Sequence, residues 1–251
     1  MPPLELIRLE QQRALAIIRS SNRQVWNLAS NRQRQYLQII DHLFNSQGHQ
    51  LRIVPELSIH NSPALDIGGV FRAKINEVFQ FLLHSDIFTF DNTIEKTTFT
   101  LFSALQYQYR HKQYLAFGQI FYWFVIIHRH IPFPDSLNPA ILAYGIHGYI
   151  PTNVIQQVDE VTADVVEIIK SYTTRTPEDR ISDDVKNWLT AKSVNINDFM
   201  SDLRTNGPQY LAETTGTMAI VGDCLSAFMF FREGFTKNRG FTSVYYFNSF
   251  N

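Results

Sequence analysis

Residues 114–127 read YLAFGQIFYWFVII, and Gln119 is the one side chain among them that a hydrocarbon core would reject. A bilayer asks for about 20 consecutive apolar residues, so this stretch is too short to span one and reads as a helix buried in a protein core. His128-Arg129-His130 closes it, and the IPFP that follows forces a turn, because Pro132 and Pro134 cannot continue a helix interior. Two residues apart on a helix, His128 and His130 would point in different directions, as polar residues closing an apolar helix rather than as a metal pair.

Working outward, residues 85–113 are polar and mixed, which fits a short hairpin or loop leading into helix. Within them YQYRHKQY (107–114) interleaves bases with aromatics, as a single-strand nucleic-acid site would. One short stretch on a chain of net charge −1 is poor support for that, and no nucleic-acid partner is expected. Upstream, Gly68-Gly69 is a turn signal, followed at helical spacing by Val70, Phe71, Ile75, Val78, Phe79, Leu82 and Leu83. Asp66 sits where its carboxylate would accept from turn or helix-start amides, and one of the two glycines is expected to take a backbone angle denied to other residues. LRIVPELSI (51–59) is β-like but broken by Pro55, so any strand there is short or at an edge. The first 45 residues read as two helices, with Leu6, Leu9, Leu15, Ile17 and Ile18 on one apolar face and Trp26, Tyr36, Leu37, Ile40 and Leu43 on another. Six arginines in residues 1–50 against three acids give either a solvated face or a docking helix for an acidic partner.

Downstream, a short apolar helix is expected from Leu137 to Tyr144, before Gly145 and Gly148. From about 150 the texture becomes polar and acidic. One amphipathic helix is expected near 158–172, with Val161, Val165, Ile168, Ile169 and Tyr172 on its apolar side. Another follows near 182–191, with Val185, Trp188 and Leu189, started by Ser182 and two aspartates. The pairs Asp159-Glu160 and Asp183-Asp184 read as helix-start charges rather than acid–base carboxylates. Apolar helix returns from Met218 to Phe231, and the chain closes on the aromatic run FTSVYYFNSFN. The expected organisation is N-terminal helices over 1–50, a large subdomain from 51–150 and 206–251, and a small subdomain over 151–205. The expected class is mainly α with a few short β-strands.

At 45% apolar and 18% charged, the 251 residues have a globular rather than a disordered composition. One cysteine excludes an internal disulfide and any multi-cysteine zinc site, and fits a reducing compartment. MPPLELIRLEQQR carries charges where a secretion signal needs an apolar core, so an intracellular protein with no membrane partner is expected. There is no phosphate-binding GxxxxGK[ST], no HExxH and no GxSxG, so no cofactor, metal or catalytic residue is assigned. His147, between Gly145 and Gly148, reads as a loop residue.

Three segments, in order, resemble the N-terminal lobe of HECT-type ubiquitin ligases: LDIGGVFRAKINEVF (65–79), FGQIFYWFVIIHRHIPFP (117–134) and FMFFREGF (228–235). Together they span about two thirds of the sequence. Their glycines have physical roles whatever the name: Gly118 allows close helix packing, and Gly234 is expected to cap the last helix in a left-handed conformation. The resemblance implies a large helical subdomain with a smaller inserted one that presents a hydrophobic groove to a ubiquitin-conjugating enzyme (E2). By position, the groove residues would be Ile169, Tyr172, Trp188, Phe199, Met200 and Leu211. Of these, Tyr172 and Trp188 are the best placed for partial exposure and most of the others for the subdomain's own core.

In that family a second lobe supplies the thioester cysteine. Here only about 16 residues follow FREGF, and the lone Cys224 lies in the apolar MAIVGDCLSAFMFF, where a low-pKa nucleophile is not expected. The expectation is therefore a HECT-like protein-interaction module, recruiting an E2 or joined by a separate catalytic subunit. The alternative is a non-catalytic structural or assembly subunit that keeps the fold for packing.

Overall fold

The computed structural model describes residues 24–47, 50, 51, 53–60, 69–91, 98–103, 107–134 and 137–237. The expectations for Leu6 through Ile18, Asp66, Gly68 and the terminal aromatic run fall outside them.

The first described element is a strand, β1 (Val25–Leu28), not the helix expected there. Its VWNL sequence alternates exposed and buried side chains, sending Trp26 and Leu28 inward. It pairs in parallel with β2 (Glu56–Ile59), Trp26 opposite Leu57. Between them runs α1 (Arg32–Asn45), capped by the Asn31 side chain accepting from the Arg34 amide. Gln35 and Gln38 tie the strand to the helix: Gln35 donates to the Ala29 carbonyl at 2.8 Å, and the Ala29 amide donates to Gln38 at 2.7 Å.

The next helix, α2 (Gly69–Leu83), buries Phe71, Ile75, Val78, Phe79, Leu82 and Leu83, the stripe its spacing predicts except Val70, which is only partly covered. Gly69 is its first residue and has no positive φ; Gly68, the other glycine of which the special angle was expected, lies outside the described residues. An antiparallel pair follows, β3 (Phe88–Asp91) and β4 (Thr98–Phe102), with Phe88 opposite Phe102.

The stretch quoted first forms the core of the molecule. Helix α3 (Tyr107–Ile120) runs into a π-helical segment over Phe121–Ile127, in which every side chain except Ile126 is buried. The His128 amide still donates five residues back, to the Trp123 carbonyl at 2.8 Å. Arg129 then takes a left-handed φ of 53° and breaks the helix. That bend brings the rings of His128 and His130 into a stack with centroids 5.4 Å apart, instead of pointing them apart as helical spacing would.

Seven further helices follow: α4 (Pro139–His147), α5 (Thr152–Val158), α6 (Glu160–Ser171), α7 (Asp183–Ala191), α8 (Ile196–Asn206), α9 (Pro208–Val221) and α10 (Leu225–Thr236). His147 is the last residue of α4, not a loop residue, and Gly148 caps that helix at φ 80°. The last apolar stretch starts ten residues earlier than expected and is two helices, parted by a 3-10 turn at Gly222–Cys224.

Helices α3 and α10 touch backbone to backbone. A Cβ on Gly118 would overlap the Phe231 carbonyl oxygen and lie 2.7 Å from the Phe235 nitrogen; one on Gly234 would overlap the Leu115 carbonyl oxygen. Gly234 is therefore inside α10 as a contact glycine and is not the left-handed cap expected of it. Around this crossing Phe79 stacks on Phe117 at 5.4 Å, and Phe102 meets Phe228 edge-on at 5.0 Å. Among the described residues one stretch, Pro208–Thr236, is long and apolar enough to cross a membrane, with 44% of its window buried in the protein. Phe228, Phe231 and Phe235 within it are core residues, which accounts for its apolarity without a bilayer.

Candidate functional site: an apolar face on an acidic helical unit

Residues 151–206 carry ten acidic and six basic side chains, and their acids are placed by helix starts. Asp159 caps α6, its carboxylate accepting from the Thr162 amide at 3.1 Å and from the Thr162 hydroxyl at 2.9 Å. Ser182 caps α7, and Asp183 and Asp184 occupy its first turn, where the helix dipole favours negative charge. These carboxylates are structural, as the sequence suggested.

The apolar stripe that seats α6 is Thr162, Ala163, Val165, Val166 and Ile169. It packs on α9, where Gly216 leaves room: a Cβ there would lie 2.8 Å from Val166 Cγ2. Val161 and Ile168, which spacing assigns to the same apolar side, stand one position off the stripe and outside it. Val161 is 65% exposed, the most exposed large apolar side chain among the described residues, and Ile168 is 36% exposed. They are seven residues apart, so they share one side of the helix, and Tyr172, four residues on, continues that line. The Tyr172 hydroxyl accepts from the Ser182 amide at 3.4 Å, tying the end of α6 to the start of α7.

Of the six residues expected to line a groove, four are core. Ile169, Phe199, Met200 and Leu211 are at most 4% exposed, so they build the unit and present nothing to a partner in this conformation. Tyr172 and Trp188 are half-buried, packed against the core with an edge in solvent. What remains toward solvent is Val161 and Ile168 on one side of α6, with the edges of Tyr172 and, on α7, of Trp188. Sequence spacing missed Val161 and Ile168 as surface residues because it fixes the centre of an apolar stripe better than its edges.

Cys224 lies in the turn between α9 and α10, buried, and that burial together with Asp223 pushes its thiol up to about 12. Its surroundings are thus the opposite of the cationic, helix-start setting that activates a cysteine. His128 and His130 are both held below the ordinary imidazole range, His128 by burial and His130 by burial, then by the charges of His128 and Arg72. No group of three or more His, Cys, Asp or Glu is arranged to hold a metal ion among the described residues.

No protein-family model and no curated protein matches this chain.

Proposed function

We propose that the chain is a protein-interaction module whose α6–α7 unit docks a ubiquitin-conjugating enzyme. The observation that carries this is the exposed pair Val161 and Ile168, with the half-buried Tyr172 beyond them, on an acidic unit whose own core is already filled. Exposed apolar side chains ringed by charge are the composition of a transient interface, in which a few aliphatic and aromatic anchors supply most of the affinity. The acidic frame asks for a partner whose apolar tip is set among basic residues, and it makes encounter faster at low salt. The resemblance of 65–79, 117–134 and 228–235 to the HECT N-lobe adds the E2 as the partner's class. Cys224, buried and protonated, takes no part in transfer, so the thioester stays on the E2 or passes to another protein.

A panel of E2 enzymes, free and ubiquitin-charged, titrated against the immobilised chain by biolayer interferometry tests this. At least one E2 binds, more weakly as salt rises, and Ile168→Asp or Trp188→Ala weakens it about tenfold or more, the loss typical of a truncated anchor. An E2 panel that fails to bind overturns the partner, and binding indifferent to both substitutions overturns the face.

A further inference from the structure

Helices α8 and α9 meet at Gly207, whose φ of 83° turns the chain sharply, and an open trough of about 560 Å³ lies between them. Each wall is a stripe at the helical spacing of four: Asp198, Asp202 and Asn206 on α8, and Tyr210, Thr214 and Met218 on α9. Eight residues of helix rise about 12 Å, the length of about four residues of extended chain.

The two walls differ in chemistry. On α8, the Asp198 carboxylate has no ion-pair partner among the described residues, and Asp202 takes only the Asn206 side-chain amide at 3.4 Å. On α9, Met218 is exposed, and the buried Leu211 and Phe199 add apolar lining. Thr215 is an independent sign of a ligand. It lines the trough with only 9% of its surface exposed, and its hydroxyl has no hydrogen-bond partner among the described residues. That hydroxyl is not one of the oxygens sealed inside the protein, so a ligand in the trough can reach it. Buried polar groups are normally paired, and a hydroxyl can both donate and accept.

Spacing narrows the ligand further. In an extended segment successive side chains point to opposite sides, and every second one recurs at about 6.6 Å. Four residues apart on a helix, Asp198 and Asp202 are separated by about 6 Å along its axis. Basic residues at every second position therefore meet both carboxylates, while the apolar residues between them turn toward Met218 and Leu211. Arginine suits the acids better than lysine, because its planar fork binds a carboxylate through two parallel hydrogen bonds.

We infer that this trough binds an extended segment of a partner protein in which basic and apolar residues alternate, with two arginines on Asp198 and Asp202 and a main-chain group on the Thr215 hydroxyl. The site is separate from the α6–α7 face and does not depend on it.

Fluorescence anisotropy of the full chain with two fluorescein-labelled peptides tests the inference. One has the core Arg-Leu-Arg-Leu; the other has Arg-Arg-Leu-Leu, with the same composition and charge and no alternation. The first binds saturably and more tightly than the second. Asp198→Asn combined with Asp202→Asn, both at exposed positions, weakens the first peptide about tenfold, the worth of two exposed ion pairs at the strong end of their range. Thr215→Val, which keeps the shape and removes the hydroxyl, weakens it about threefold to tenfold. Val161→Ser, on the α6 face, leaves peptide binding unchanged, so failure of the E2 reading and failure of this one are distinguishable. Equal binding of the two peptides, no binding of either, or binding indifferent to the paired aspartate substitutions overturns the site. Binding indifferent to Thr215→Val overturns the main-chain contact. Displacement of the labelled peptide by spermine at concentrations no higher than the unlabelled peptide requires assigns the trough to a small polyamine and overturns the partner segment.

Discussion

Cys224 shows how one residue's surroundings decide its chemistry. Its thiol is shut in the turn between two apolar helices with Asp223 beside it, so the thiolate that an alkylating or disulfide reagent needs is suppressed. In the native protein at pH 8 a chromogenic disulfide such as Ellman's reagent labels it no faster than the chain unfolds, and denaturant releases one equivalent at once; rapid native labelling would contradict the buried placement. The glycines divide in the same way. Gly118→Ala drives a methyl into the backbone of α10 and lowers stability by about 3 kcal/mol in chemical denaturation, the upper range for overpacking. Gly69→Ala meets nothing within 4 Å at a helix start with no positive φ, and it stabilises by about 0.4–1 kcal/mol through the unfolded chain. Sequence gave Gly118 its role because an isolated glycine in an apolar helix has few other uses. It misassigned Gly234, since a cap glycine and a contact glycine look alike until the partner backbone is in place.

At the scale of elements, the π-helical end of α3 sets a pH response. Its exit through Arg129 stacks His130 on His128 in a half-buried niche near Arg72. In the folded protein His130 titrates at about 4, whereas in the unfolded chain it titrates near 6.5. Above 6.5 both states are neutral there and the full stability is present. As pH falls from 6.5 toward 4 the unfolded state takes up a proton that the folded state refuses, and stability drops. His130→Gln flattens that part of the profile by about 1–2 kcal/mol, a figure discounted for the ring's partial exposure; urea titrations between pH 4 and 7 measure it. The pairing of these rings was not legible in the sequence, because a period of 3.6 holds only until a residue leaves the helix, and nothing in the sequence requires a left-handed Arg129. The helices of 158–172 and 182–191 were legible, since caps at Asp159 and Ser182 sit just before stripes of aliphatic residues. The strand at Val25–Leu28 was not, because its partner lies some thirty residues on and four residues carry too little alternation to decide.

For the whole molecule, the aromatic crossing of α3 and α10 and the helical unit over α5–α9 share the apolar stretch 208–236, so core and candidate face are joined through one pair of helices. The apolar patterning made the mainly helical class readable early. The docking face was only half readable: Tyr172 and Trp188 came from residue type, while Val161 and Ile168 needed the position of α9 to show which side of α6 was already covered. Hydrogen–deuterium exchange of the chain alone and saturated with its tightest-binding E2 tests the docking face most directly. Protection confined to 160–172 and 183–191, with α3 and α10 unchanged, is the predicted result. Protection elsewhere with 160–172 unaltered would contradict the assignment of that face.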